Sequence, residues 1–228
     1  MRRGFLGLLG AVALVFASNA FALPLKWVEG TNYVRVNPVQ PTTVPAGKVE
    51  VLEVFSYACP ACNQFQAVIE QLQKQLPANA QMAFLHASFN AAESWPVFQR
   101  AYFAAQSLGI AEKAHQGIYD AVWKTGELGI IDPNSHGLKR QQPTINDVAK
   151  GYERLTGVKQ ATFLAAANSS ATDTKMRLAD AQIQAMRVPG TPCIVINGKY
   201  RVDLDSIRSV DELVEMVKFL VAQESRAG

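Results

Sequence analysis

Two cysteines separated by two residues, Cys59-Pro60-Ala61-Cys62, constrain this chain most, because they stand where one periodicity gives way to another. Before them runs Val51-Leu52-Glu53-Val54-Phe55-Ser56-Tyr57, apolar apart from one carboxylate and a serine, the pattern of a buried strand. After them Phe65, Val68, Ile69, Leu72 and Leu76 recur on one helical face until Pro77. The pair therefore sits at a strand-to-helix junction. A helix N-terminus offers unpaired N–H groups and the positive end of the dipole, which stabilise a thiolate and lower its pKa. Cys59 is the expected nucleophile, and Cys62, one turn further in, its shielded partner. Glu53 lies between Leu52 and Val54 in a core strand, so burial should disfavour its charged form. That suits a proton acceptor for the buried thiol; a structural polar pair is the other reading of such a residue.

The chain opens with Met1-Arg2-Arg3, an almost wholly apolar run over 5–17, and Ala20-Phe21-Ala22, which fits a signal-peptidase site. Residues 1–22 are read as a cleaved secretory leader. The run is shorter than the roughly 20 residues of a spanning helix, and Leu23 is not the cysteine of a lipoprotein. The remainder is long enough for a substantial core without disulfide staples. There are 22 Lys+Arg against 19 Asp+Glu, and removing Arg2 and Arg3 leaves a net charge of about +1, no signature of nucleic-acid binding. Three cysteines are too few for a disulfide scaffold in an exported chain, and an odd count leaves one thiol free. No cofactor is expected. Structural zinc needs four ligands, and no second Cys-x-x-Cys pair exists; His86, His115 and His136 are scattered and read as structural or solvated.

Ahead of the core strand, Tyr33, Val34 and Val36 suit an edge strand, and Pro38, Pro41 and Pro45 mark a loop. A second core strand is expected over 81–88, with Met82, Phe84, Leu85 and Phe89 around His86. From about 93 to 180 the composition turns to Ala, Gln and Leu at helical spacing. Helices are expected at 94–108, 111–124, 144–156, 159–166 and 172–186, with Thr144 as N-cap and Asp147 in its first turn. Residues 126–143 read as a polar loop, whose His136, Lys139 and Arg140 are a solvated cluster rather than a metal or anion site. Cys193-Ile194-Val195-Ile196, then Asn197-Gly198, then Lys199-Tyr200-Arg201-Val202 is a hairpin pattern. An amphipathic helix over 210–222 carries Leu213, Val214, Val217 and Leu220 on one face.

With the helical block set aside, the order of elements is thioredoxin-like, and the chain resembles the DsbA family of periplasmic thiol:disulfide oxidoreductases. The likeness runs over essentially the whole chain after the leader. It is carried by Val51-Leu52-Glu53, the Cys59/Cys62 pair, a helical insertion of suitable length, Thr191-Pro192 before a strand, and Ile196-Asn197-Gly198-Lys199-Tyr200. It implies an α/β thioredoxin-like fold with an inserted all-helical domain, divided as 23–92 with 181–228 for the thioredoxin-like domain and 93–180 for the insertion. It further implies a cis proline at Pro192 facing the cysteines. Thr191 would leave its backbone free for an extended substrate peptide, and Pro60 and Ala61 would join the substrate-binding surface. A substrate thiolate would attack the Cys59 sulfur, form a mixed disulfide, and be resolved by a second substrate thiol. Reduced exported proteins are the implied substrates, a DsbB-like quinone-linked membrane protein the implied reoxidant, and the periplasm the implied compartment, with the protein monomeric.

Two departures stand out. The family most often carries Pro-His between its cysteines and this chain has Ala61, which implies a higher Cys59 pKa and a less oxidising disulfide. Cys193 directly follows the implied cis proline; a buried inert thiol is the expected reading, a third redox-active cysteine the rival. At the level of function the alternatives are a reductase or isomerase of the same superfamily, which usually adds an N-terminal dimerisation domain, and a non-catalytic peptide-binding chaperone.

Overall fold

The computed structural model describes residues 26–227; the leader reading of residues 1–22 lies outside them. Strands β1 (Tyr33–Arg35), β2 (Val49–Phe55), β3 (Ala80–His86), β4 (Cys193–Ile196) and β5 (Tyr200–Val202) form one sheet in the order β1-β5-β4-β2-β3. β2 pairs with β3 in parallel and with β4 antiparallel. Every residue of β2 is buried, as a near-continuous apolar run requires of a central strand. Alternation along it sorts the two faces. Val49 and Val51 pack with Ile194 and Ile196 against Ile69 and Leu72 of α1 (Pro60–Gln75) and Leu213, Val217 and Leu220 of α7 (Val210–Ala227). Each such aliphatic side chain contributes about 1.5–3 kcal/mol by leaving water. Leu52 and Val54 belong to the other cluster, with Ala179, Ile183 and Met186.

Between β3 and β4 runs the helical block: α2 (Trp95–Ser107), α3 (Ala111–Tyr119), α4 (Ile145–Thr156), α5 (Gln160–Ala167) and α6 (Ser170–Ala185). The thioredoxin-like sheet with helices inserted between its halves is the α/β class expected from the sequence. α4 begins with a full capping box. Thr144 Oγ1 accepts from the Asp147 amide at 3.3 Å, and the Asp147 carboxylate accepts from the Thr144 amide at 3.1 Å. Asn197 and Gly198 turn β4 into β5 with φ of 52° and 61°. Gly198 is required there, because a Cβ would lie 2.1 Å from the Gln40 carbonyl oxygen.

Three local expectations are corrected. The helix expected over 111–124 is α-helical only to Tyr119 and continues as a π-helical turn, Asp120–Lys124; periodicity cannot register one wider turn. Phe89 lies beyond β3 and is 47% exposed, so it is not part of the core strand. The stretch read as a polar loop sends Leu128 and Ile130 into the core and pairs Ile131 with Leu138. Isolated apolar residues in a polar segment carry no period by which their burial can be seen.

Candidate redox site

Cys59 is itself the N-cap of α1, with Pro60 following at the first helical position, where a missing N–H costs nothing. Its sulfur accepts a hydrogen bond from the Cys62 amide at 3.2 Å. Across the site the Thr191–Pro192 peptide bond is cis, and the Thr191 carbonyl accepts from the Cys59 thiol at 3.4 Å. Cys59, Cys62 and Cys193 are all unpaired thiols. The two active-site sulfurs are strongly unequal. The Cys62 thiol holds the Cys59 thiol down at about 6 as a hydrogen-bond donor to its thiolate, working against desolvation. The Thr191 hydroxyl and the backbone amides of Cys62 and Ala61 assist. Burial, with the adjacent Cys59 charge, pushes Cys62 far above the ordinary thiol range. Pro60 and Ala61 are exposed beside them. A cleft of about 560 Å³ opens here, lined by Ala61, Phe65, Gly190, Thr191, Pro192 and Arg201.

The Thr191 hydroxyl is buried with no hydrogen-bond partner in the resting protein, which leaves it as a donor to the Cys59 thiolate. Thr191→Val removes that donor while keeping the shape. It should raise the Cys59 pKa by about one unit, read as a displaced thiolate absorbance titration; an unmoved titration would remove Thr191 from the list of thiolate ligands.

Glu53 lies below the pair. Its register neighbours are Phe84 on β3 and Ile194 on β4, it is fully buried, and neither carboxylate oxygen has a hydrogen-bond partner. Desolvation, and secondarily the Cys59 charge, holds its carboxyl well above the usual range, favouring the protonated form. The structure offers it no polar pair. Cys193 is 4% exposed and faces Val54 across the sheet; burial pushes its thiol up to about 12, Arg201 opposing. His86 Nε2 accepts from the Tyr57 amide at 3.2 Å, and burial lowers that imidazole to about 3. His136 is exposed in the 126–143 loop, away from these groups.

Sequence reasoning missed the aromatic shell. Trp123 Nε1 donates to the Tyr57 carbonyl at 2.9 Å, fixing the backbone two residues before Cys59. Tyr57 Oη and His115 Nδ1 are 3.0 Å apart, and the Tyr119 ring packs edge-on against both, with centroids at 5.0 and 5.3 Å. These contacts join residues distant in the chain, and no local pattern announces them.

An acidified thiol at a helix N-terminus, a buried partner thiol and a cis proline at the lip of a cleft define a thiol–disulfide exchange centre on a thioredoxin-like sheet. The thioredoxin family model matches residues 44–218. The DsbA thiol:disulfide interchange protein of Pseudomonas aeruginosa is 29% identical over 202 residues, 89% of this chain and 88% of that protein. Its Azotobacter vinelandii counterpart is 28% identical over 230 residues, all of both chains. The crystal structure of the oxidoreductase DsbA from Xylella fastidiosa superposes with a TM-score of 0.73 at 28% identity, covering 88% of this chain and 98% of that one. The chain belongs to the thioredoxin family and, within it, to the DsbA thiol:disulfide oxidoreductases.

Proposed function

We propose that the protein works as an oxidant of exported proteins, with Cys59 as the attacked sulfur, Cys62 as its internal partner and Glu53 as the proton carrier. The observation that carries this reading is the inequality of the two thiols, about 6 for Cys59 and far above the ordinary range for Cys62. A reduced form stabilised by its Cys59 thiolate makes the disulfide a ready electron acceptor. A substrate thiolate attacks the Cys59 sulfur, the Cys59–Cys62 bond breaks, and the electron pair leaves on Cys62, which takes the proton of neutral Glu53. A second substrate thiolate then attacks the substrate sulfur of the mixed disulfide. Cys59 departs as thiolate, and the substrate leaves with a new disulfide. Two electrons end on the enzyme.

The Pro192 lip, the Thr191 backbone, Pro60 and Ala61 form the surface on which an extended substrate strand lies. Residues 1–22 serve as the export leader to the periplasm, and 93–180 forms a helical domain inserted between 23–92 and 181–228. A DsbB-like quinone-linked membrane protein returns the enzyme to its oxidised form. Among the described residues no helix is long and apolar enough to cross a membrane.

The test uses the oxidised protein with a reduced two-cysteine peptide. Oxidation of the peptide should proceed at one disulfide per enzyme equivalent; Cys62→Ser carrying Cys59 as a mixed disulfide with glutathione should exchange it for a one-cysteine peptide and hold that peptide, and Cys59→Ser should do neither. A protein that reshuffles wrongly paired disulfides without net oxidation, and is recovered reduced from its compartment, would be the isomerase instead.

A further inference from the structure

Glu53 must gain and lose charge in a dry site, and its sheet neighbours Phe84 and Ile194 cannot help. The ionisable groups whose charge couples to that of Glu53 are Cys59 at the start of α1, Tyr102 of α2 and Tyr119 of α3. A tyrosine hydroxyl has one proton to donate. Tyr102 already spends it on the Phe84 carbonyl at 3.1 Å, while accepting from Gln106 at 3.1 Å. Tyr57 is engaged with His115. The Tyr119 hydroxyl is buried with no partner, as are both oxygens of Glu53. Its ring is held by Tyr57 at 5.0 Å, His115 at 5.3 Å and Phe55 at 6.2 Å, and Phe55 lies two residues beyond Glu53 on β2. Directly after Tyr119 the helix widens into its π-turn, a feature frequent at functional sites, and that turn delivers Trp123 to the Tyr57 carbonyl.

We propose that Tyr119 is a positioning residue for the redox reaction. Its free hydroxyl donates, directly or across one water, to the Glu53 carboxylate formed when Cys62 takes the proton. The inference rests on Glu53 being the proton carrier. In the step concerned, the Cys59–Cys62 bond breaks, the electron pair leaves on Cys62, and the proton of Glu53 moves to that sulfur. The charge then rests on Glu53, and Tyr119 turns a hydrogen bond toward it. Nothing is oxidised or reduced beyond the disulfide and the attacking thiolate.

The experiment follows the rate at which oxidised protein reacts with dithiothreitol across pH, in wild type, Tyr119→Phe, Glu53→Gln and Tyr152→Phe. Tyr152 supplies the control, since its hydroxyl is also buried without a partner and it lies toward Tyr57 and Tyr102 rather than Glu53. Tyr119→Phe should raise the midpoint assigned to Glu53 by about one pH unit and slow the step about tenfold, the effect of losing one hydrogen bond to a charged group. It should shift the infrared band of the ionised Glu53 carboxylate, the band that Glu53→Gln abolishes. Its melting temperature should stay level or rise, because the hydroxyl removed has no partner in the resting protein. Fluorotyrosine at position 119, a stronger donor of the same shape, should move the midpoint the other way, and it serves if Tyr119→Phe folds poorly. An unshifted midpoint in Tyr119→Phe or fluorotyrosine protein, with Glu53→Gln altered, overturns the role of Tyr119. An equal shift in Tyr152→Phe overturns it too. An unaltered profile in Glu53→Gln fells the proton-carrier reading first.

Discussion

The Cys59–Cys62 disulfide should be a milder oxidant than that of DsbA itself, with a reduction potential lower by about 75 mV. The size follows from linkage. Each unit by which a thiolate pKa falls below ambient pH stabilises the reduced form by about 30 mV for a two-electron couple. DsbA has a cysteine near about 3.5 and a potential of about −120 mV, whereas Cys59 stands at about 6. The gap of about 2.5 units corresponds to an exchange constant on the order of a hundredfold less oxidising. Part of the cause is local: the Cys59 sulfur is served by Cys62, Thr191 and two backbone amides, but position 61 is an exposed alanine with no donor to add. Ala61→His should lower the Cys59 pKa by about one unit and raise the potential by about 30 mV. Equilibration with glutathione and thiolate absorbance would measure both. A variant that moves neither would mean that helix and lip already supply all the stabilisation the thiolate can use.

Glu53→Leu should make the reduced protein more stable and a poorer catalyst. An unfolded glutamate titrates at about 4.3, and the folded carboxyl is held well above that by burial. Between the two values the folded state keeps a proton that the unfolded state has lost. Stability therefore falls as pH rises, by up to about 1.4 kcal/mol per unit. The variant's advantage should be largest near neutral pH and shrink toward pH 4, where only the orphaned polar atoms of a neutral carboxyl remain, costing about 1–3 kcal/mol. Denaturant midpoints across that range would show the trend, and a pH-independent difference would contradict a raised carboxyl. The release of Cys62 should meanwhile slow by about 10²-fold, the lower end for losing a positioned acid. The two effects share one origin, a carboxyl kept neutral in a place where nothing solvates it.

Much of this site could be read from the chain. Cys59 at a helix start, Cys62 one turn in and Glu53 inside an apolar strand are separated by a few residues, so strand and helix periodicity fix their relative placement. The hairpin at Asn197-Gly198 and the cap at Thr144 are equally local. Resemblance, rather than periodicity, pointed to Thr191 and Pro192, since their approach to the cysteines spans 132 residues of chain.

The sequence by itself therefore determined the reactive pair, its thiolate-stabilising helix end and the desolvated acid, because each depends on backbone geometry within one strand–helix unit. Only the tertiary structure decided the rest. Phe84 and Ile194 leave Glu53 without a counter-ion, the cis Thr191–Pro192 bond sets the Thr191 carbonyl against the Cys59 sulfur, and α3 with its π-turn packs Tyr119 on Tyr57 and brings Trp123 to the Tyr57 carbonyl. Those outcomes belong to packing between distant segments, where burial removes water and every polar atom must find a partner or go without.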